Sequence, residues 1–376
     1  MRINTITCHD VYNYGASLQA YALQQYLESQ GHYVEIINYL PPYIKHVPKF
    51  WEIRANSKYR SLIKYNPILR LFYSLIILYR YHKWKNRRNA FNEFTQNYLR
   101  LTRKYTNIQE LRSDPPQGEC YIVGSDQVWN SYLNNGKDDA FFLAFGDTSK
   151  RRIAYACSFG NSNIAPGYKN FTIEKLKHFD AISVREASGV KIITELGFNA
   201  TQVLDPVFLL EKKDWEKIAT SSCMQIKEKY ILVYQIYMNN PLMKNWCKKL
   251  KKETNYKIIA IETTFSVDFA DAHIRNAGPI EFLELIQKAS YVISDSFHAT
   301  AFSSIFNTPF IITINTKITN TSRLIDFCNN IECSFLYNPP VDSILYKSIN
   351  WNKINELLKH YAINSKSFLK NNITTK

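Results

Sequence analysis

The sequence predicts an α/β protein with two Rossmann-like, doubly wound halves facing a cleft. Three observations carry that reading. Short apolar strands alternate with helices along most of the chain, the pattern of parallel sheets covered on both faces. Polar residues cluster immediately after the strands. At 376 residues the chain is long for one compact domain and comfortable for two.

The first half opens β–α–β. Arg2 to Cys8 reads as a strand and Asn13 to Ala16 as a loop. From Ser17 to Gln30, Leu18, Ala22, Leu23, Tyr26 and Leu27 keep helical spacing, and Gly31 closes the helix. Tyr33 to Tyr39 is the next strand, stopped by Pro41-Pro42. Further strands are expected at Cys120–Val123, Arg152–Cys157, Ala181–Val184 and Thr201–Leu204, with a helix from Glu186 to Leu196. After a polar stretch, Glu211 to Lys229, a second series begins. Strands are expected at 230–234, 257–261, 291–293 and 309–314, and helices at 241–252, 280–289 and 299–306. The domain division expected is 1–207 and 208–376.

The net charge of +15 is unevenly placed. Between Lys45 and Lys104 lie fifteen Lys and Arg against Glu52 and Glu93, a net +13. This basic insertion, 45–105, predicts an anionic partner surface. Its apolar middle, Leu71 to Tyr79, is too short to cross a bilayer, so helices lying on a surface or packed as an insertion are expected. Seven scattered cysteines without a CxxC pair argue against a disulfide framework or a zinc site. Met1 leads straight into a strand, so no signal peptide is expected and the compartment read is cytoplasmic. GxSxG, the P-loop and HExxH are absent, which removes support from hydrolase, NTPase and zinc-protease readings. A nucleic-acid-binding role would leave the ordered strand-end loops unexplained, and none is expected.

In open parallel sheets ligands bind beyond the carboxyl ends of the strands. Five loops therefore hold the candidate residues. Ser294-Asp295-Ser296-Phe297-His298 leads into a helix, whose free N–H groups suit an anion; His298 is an acid, an anion ligand or a local cap. Arg185 is a bidentate anion clamp or the partner of a neighbouring acid. Gly124-Ser125-Asp126 places a carboxylate suited to acid–base work or to capping a turn. Asn13 to Ser17 starts a helix without a dinucleotide fingerprint, and Arg323 precedes another helix as a second anion ligand or a solvated surface group.

Taken in order, these segments resemble the polysaccharide pyruvyl transferase family. The matching pieces are Asn13 to Tyr21, Ile122 to Asn130, Ala154 to Gly160, Ser183 to Glu186, Val203 to Pro206 and Ser294 to Ser303. The basic insertion and the residues from Pro339 onward lie outside them. The resemblance implies a glycosyltransferase-B-like architecture with the acceptor on the first half and the donor on the second. It implies transfer of the enolpyruvyl unit of phosphoenolpyruvate, a co-substrate, to a capsular or exopolysaccharide sugar as a pyruvate ketal. No other cofactor and no metal are implied. Arg185 and His298 map onto the family's donor-holding residues. Ser294, Ser296 and Arg323 are further donor candidates, with His298 and Asp126 as acid and base. Asn13, Tyr14, Ser17, Gln19, Ser125, Gln127 and Ser158 are the acceptor candidates. The chain departs from many relatives in having Gly15-Ala16 where they have Gly-Asp, and Ser296 where they have Arg. Arg323 is the candidate for the missing positive charge. The acceptor implied is linked to a polyprenyl diphosphate, which would place the protein peripherally on an anionic membrane. The competing reading on the same fold is a nucleotide-sugar glycosyltransferase.

Overall fold

A computed structural model describes residues 1–44, 66–222, 224, 226–237, 240–263, 266–314, 322–343 and 349–373. The basic residues between Lys45 and Lys64 lie outside the described residues.

The first half is a seven-stranded parallel sheet in the order β3-β2-β1-β4-β5-β6-β7. The strands are β1 (Arg2–Ile6), β2 (Tyr33–Tyr39), β3 (Leu101–Tyr105), β4 (Cys120–Val123), β5 (Arg151–Cys157), β6 (Ala181–Val184) and β7 (Thr201–Gln202). The second half is a five-stranded parallel sheet, β10-β9-β8-β11-β12. Its strands are β8 (Tyr230–Tyr234), β9 (Lys257–Ile261), β10 (Ala272–Ile274), β11 (Tyr291–Ser294) and β12 (Phe310–Ile312). Each order reverses beside its first strand, between β1 and β4 and between β8 and β11. Ligands bind at such switch points. Strands such as Tyr230–Tyr234 are buried at every residue, because helices cover both faces.

Helix α1 (Tyr14–Ser29) begins where the Asn13 side chain accepts from Ala16 N, and it ends before Gly31 at φ +83°. The basic segment contains α2 (Pro67–Lys83) and α3 (Lys85–Tyr98), and it ends in β3. The expected insertion 45–105 therefore includes an edge strand of the main sheet. Helix α3 packs at the seam between the halves. Its Phe91 and Phe94 are buried, and Arg87 donates to Glu262 O. Helix α2 is different: Ile68, Phe72, Ile76 and Tyr79 are all more than half exposed.

The polar stretch after residue 210 is not a simple linker. It forms α4 (Lys212–Ala219), whose Trp215 and Ile218 are buried in the second core. The second expected domain also needs correction at its end. Helix α5 (Trp351–Ile373) places Ile354 and Leu358 in the second core but Leu369 and Ile373 against Ile3, Leu23 and Cys120 of the first. Ser365 Oγ accepts from Leu204 N, so the chain crosses back and straps the halves together. One amphipathic helix thereby buries an apolar stripe on both sheets.

Candidate active site

The carboxyl edges of the two sheets face each other, and the charged residues meet there. Arg185 follows β6 and is buried. Its Nη1 donates to Asp205 Oδ2 at 2.6 Å and to Ser125 Oγ at 3.3 Å. Ser125, just beyond β4, donates to the same Asp205 Oδ2 at 2.9 Å. Asp205 lies just beyond β7, and its Oδ1 accepts from Val207 N at 3.2 Å, which starts the short 3-10 turn Pro206–Phe208.

The second half supplies helix α6 (Phe297–Phe306), which carries His298 in its first turn. His298 Nε2 lies 3.6 Å from Asp205 Oδ2, beyond hydrogen-bond length but close enough for charge to act. The ring sits directly on Gly15; a Cβ there would lie 2.0 Å from Nδ1. Gly15 is thus glycine because the other half's histidine occupies the space. Phe297 lies under the Arg185 guanidinium, 4.9 Å from ring centroid to carbon.

Burial alone would raise the Asp205 carboxyl. His298 and then Arg185 outweigh it and hold the group below the usual carboxylate range. For Arg185, burial opposes the charge, and the carboxylates of Asp205, Glu186 and Asp126 outweigh it. Arg323 begins helix α7 (Ser322–Asn330) and is half-buried. Burial and the nearby Arg185 both lower its pKa, so the two guanidinium groups repel across the cleft.

Five polar atoms here are buried without a hydrogen-bond partner among the described residues. They are Arg185 Nε and Nη2, Arg323 Nε, His298 Nε2 and Glu186 Oε2. A buried donor without an acceptor costs about 1–3 kcal/mol. Arg185 has its Nη1 corner engaged by Asp205; its Nε faces Glu186 Oε2 at 3.9 Å, an ion pair beyond hydrogen-bond length, and neither Nε nor Nη2 hydrogen-bonds to a described residue. The Nε–Nη2 edge matches a carboxylate or phosphate bidentately. A cavity of about 120 Å³ opens beside Arg185 and Arg323, lined also by Phe297, Asn330, Tyr361 and Asn364. His298 and Asp126 do not line it, so it extends the site behind the arginines.

Several candidates have other duties. Tyr14 is buried, donates to Ala277 O at 2.9 Å and stacks on Phe282 at 4.3 Å, so it joins the halves. Gln19 is buried and donates to Thr7 Oγ1 and Ala16 O, while Ser17 is buried within α1. Ser158 donates to Glu186 Oε1 at 2.7 Å. Ser294 donates to Tyr234 O, and Ser296 caps α6 by accepting from Ala299 N. These six shape or join backbone and are not open to a ligand, which corrects the expectation of direct contact. Asn13 is exposed while capping α1. Gln127 is half-buried and accepts from Asn130. Asp126 is half-buried at φ +84°, with Oδ1 accepting from Gln127 N at 2.8 Å. Asp126 therefore holds its own turn while facing the cleft cations.

The sequence offers Glu186 only as an acid neighbouring Arg185 and gives Asp205 no role of its own; the structure pairs Arg185 with both. Asp205 is the shared acceptor of the whole cluster. Glu186 fixes the loop after β5 through Ser158 and Phe159 N. The signal for Asp205 was its place at a strand end, in Val203-Leu204-Asp205-Pro206.

Two Rossmann-like halves meeting at a cleft lined with buried cationic groups are the glycosyltransferase-B-like architecture. The family model for polysaccharide pyruvyl transferase matches residues 13–317, and the chain belongs to that family. Among curated proteins none matches. Solved structures with similarity include a UDP-GlcNAc 2-epimerase from Neisseria meningitidis, at 7% identity, TM-score 0.49 and 99% coverage of both chains. Another, from Methanocaldococcus jannaschii, shows 12% identity and TM-score 0.46, covering 96% of this chain and 92% of that one. The E. coli heptosyltransferase WaaC shows 10% identity and TM-score 0.37, covering 83% and 88%.

Proposed function

We propose that the chain transfers the enolpyruvyl unit of phosphoenolpyruvate to two hydroxyls of one sugar, forming a pyruvate ketal and releasing phosphate. The observation that carries this reading is that Arg185 Nε and Nη2, Arg323 Nε and His298 Nε2 lie buried together without a hydrogen bond to a described residue, although Glu186 and Asp205 stand within ion-pair range of two of them. A small ligand with both a carboxylate and a phosphate supplies the acceptors these donors lack. In this reading His298 protonates the methylene carbon or holds the phosphate. A sugar hydroxyl adds to the adjacent carbon and gives its proton to a base, for which Asp126 is the candidate. Phosphate leaves with the bridging oxygen, and the second hydroxyl closes the ring. Incubation with phosphoenolpyruvate and a panel of glycans tests this. Phosphate release matched by a ketal on the glycan, read by mass, is expected. Nucleoside diphosphate release from a nucleotide sugar instead would overturn it.

The acceptor in this reading is a capsular or exopolysaccharide repeat unit on a polyprenyl diphosphate, and the protein works at the anionic cytoplasmic face of a membrane. No helix among the described residues is long and apolar enough to cross one. Helix α2 supports the surface role. It exposes Ile68, Phe72, Ile76 and Tyr79 beside Lys83, Lys85 and Arg88, while α3 anchors it to the body. Basic residues near an anionic leaflet contribute about 1 kcal/mol each, and inserted apolar side chains add to that. Co-sedimentation with anionic vesicles should exceed that with neutral ones and fall with salt. Phe72→Ser with Ile76→Ser should weaken it roughly tenfold or more. Self-association through α2 without vesicle binding would exclude this role.

A further inference from the structure

A second concave surface lies on the same carboxyl edge of the first sheet. It is an open groove of about 420 Å³ at the ends of β2 and β3. Pro42, Tyr43, Asn107, Gln109, Asn134 and Lys137 line it. Its charges are largely satisfied from within. The hydroxyls of Tyr39 and Tyr43 both donate to Asp138 Oδ2, at 2.6 and 2.5 Å, and Asp138 Oδ1 accepts from Ala140 N. Asp139 is paired with Arg112 and Lys175. Lys137 Nζ sits 4.5 Å from the Tyr168 ring centroid. The exposed lining residues are Pro42, Gln109 and Asn134, with the Tyr43 ring half-buried beside them. The side chains of Gln109 and Asn134, both exposed, hydrogen-bond to no described residue. An aromatic face with uncharged, unengaged amides fits a hydroxyl-rich, uncharged ligand, not an anion.

The groove lies on the same sheet edge as the active site. Strands lie about 4.8 Å apart, so in the order β3-β2-β1-β4 the end of β3 stands roughly 14 Å from that of β4. Asn135 Nδ2 donates to Gln127 O and ties the groove's wall to the turn that carries Asp126. Between them lies Cys8, just beyond β1; burial raises its thiol, and Asp126 and Asp138 both add to that. One edge thus leads from Asp126 to the groove over the span of a few sugar units.

We infer that this groove binds the acceptor glycan a few sugars away from the one that is modified, so that the enzyme measures chain length as well as the terminal sugar. The inference rests on the pyruvyl-transfer reading only for the identity of the acceptor. Its test compares hexose glycosides of galacto and gluco configuration carrying one or four sugars. The double variant Gln109→Ala, Asn134→Ala alters two exposed side chains that the fold does not use. The ratio of KM for the tetrasaccharide to KM for the monosaccharide should rise roughly tenfold or more, with KM for phosphoenolpyruvate unchanged. An unchanged ratio overturns the inference. Saturation-transfer NMR with the tetrasaccharides alone separates the two readings. If the wild type shows no pyruvyl transfer but binds tetrasaccharide, and the double variant loses that binding, the transfer reading falls and the groove stands. If binding is absent in the wild type, or is the same in the variant, the groove falls whatever the chemistry.

Discussion

Asp205 and Asp295 hold comparable places in the two halves. Each carboxylate lies just beyond a strand at the cleft edge of its sheet, and each is almost fully buried. Their partners differ. Asp205 faces the His298 ring and the Arg185 guanidinium, and together they hold its carboxyl below the usual range against the cost of burial. Among the described residues Asp295 has only backbone partners: Oδ1 accepts from Ile236 N at 2.7 Å and Oδ2 from Tyr237 N at 3.0 Å. Burial outweighs those N–H groups and pushes it up to about 6. The same side chain in the same kind of place therefore organises charge in the first half and clamps a loop in the second. Backbone donors satisfy hydrogen bonds, but only a cation fully offsets the desolvation of a buried carboxylate.

The largest effect should come from removing the cation. Arg185→Ala leaves Asp205 buried with one fewer partner, at a cost of about 3–5 kcal/mol in unfolding free energy. It should also slow transfer roughly 30- to 1,000-fold through loss of the anion contact. His298→Ala should slow transfer comparably but cost less stability: it too helps to hold Asp205 below the usual range, yet at 3.6 Å it makes no hydrogen bond there, whereas Arg185 donates at 2.6 Å. Steady-state kinetics and urea melts of both variants check this. Equal stability losses would show that Asp205 does not depend chiefly on Arg185.

The seam between the halves comes next. Gly15→Ala would place a Cβ 2.0 Å from His298 Nδ1, so the ring must leave its position opposite Asp205. Overpacking costs about 1–3 kcal/mol. Displacing a catalytic group by an ångström or so slows the reaction up to about 100-fold. The expected outcome is a drop in kcat with modest loss of stability, read by kinetics and thermal melts. Full activity in this variant would mean that the position of His298 on Gly15 is not the working one.

How much of this was legible in the sequence depended on the range of the contacts involved. Strands such as Tyr33–Tyr39 and Tyr230–Tyr234 were readable from local apolar runs, and they stand at those residues. Arg185 and His298 were readable because a polar residue after a strand has a known place in a parallel sheet. The role of Asp205 was not, since its partners Ser125 and His298 are far away in sequence and belong to different elements. Polar residues of α1 misled for the opposite reason. Gln19 looks available in sequence, yet it is buried and bonded to Thr7 across the β1 loop. Helix α5 carries an apolar stripe that fits either core, and no periodicity says that its two ends serve different sheets. The edge strand β3 was hidden because Leu101–Tyr105 carries Arg103 and Lys104, charges that an edge tolerates and a central strand does not.

The smallest expected effect is the most direct test of the Asp205–Asp295 contrast, because pH acts on the two carboxylates with opposite sign. Asp295 is raised in the folded state, so native protein binds that proton more tightly than unfolded chain. Its contribution to stability is full below the unfolded value of about 3.9 and is lost as pH rises through about 6. Asp205 is depressed, so its contribution is present above about 3.9 and is lost only as pH falls through its lower folded value. Between pH 4 and pH 7 the two therefore separate: Asp205 is nearly constant there while Asp295 titrates. Asp295→Asn removes the titrating group and keeps one acceptor for the Ile236–Tyr237 loop. The unfolding free energy of the wild type minus that of the variant should fall by about 2 kcal/mol from pH 4 to pH 7. Urea melts across that range measure it, and the subtraction cancels every other group whose titration is the same in both proteins. A difference that stays flat would mean that the two backbone N–H groups alone suffice to keep Asp295 ionised, and the contrast between the halves would then rest on Asp205 alone.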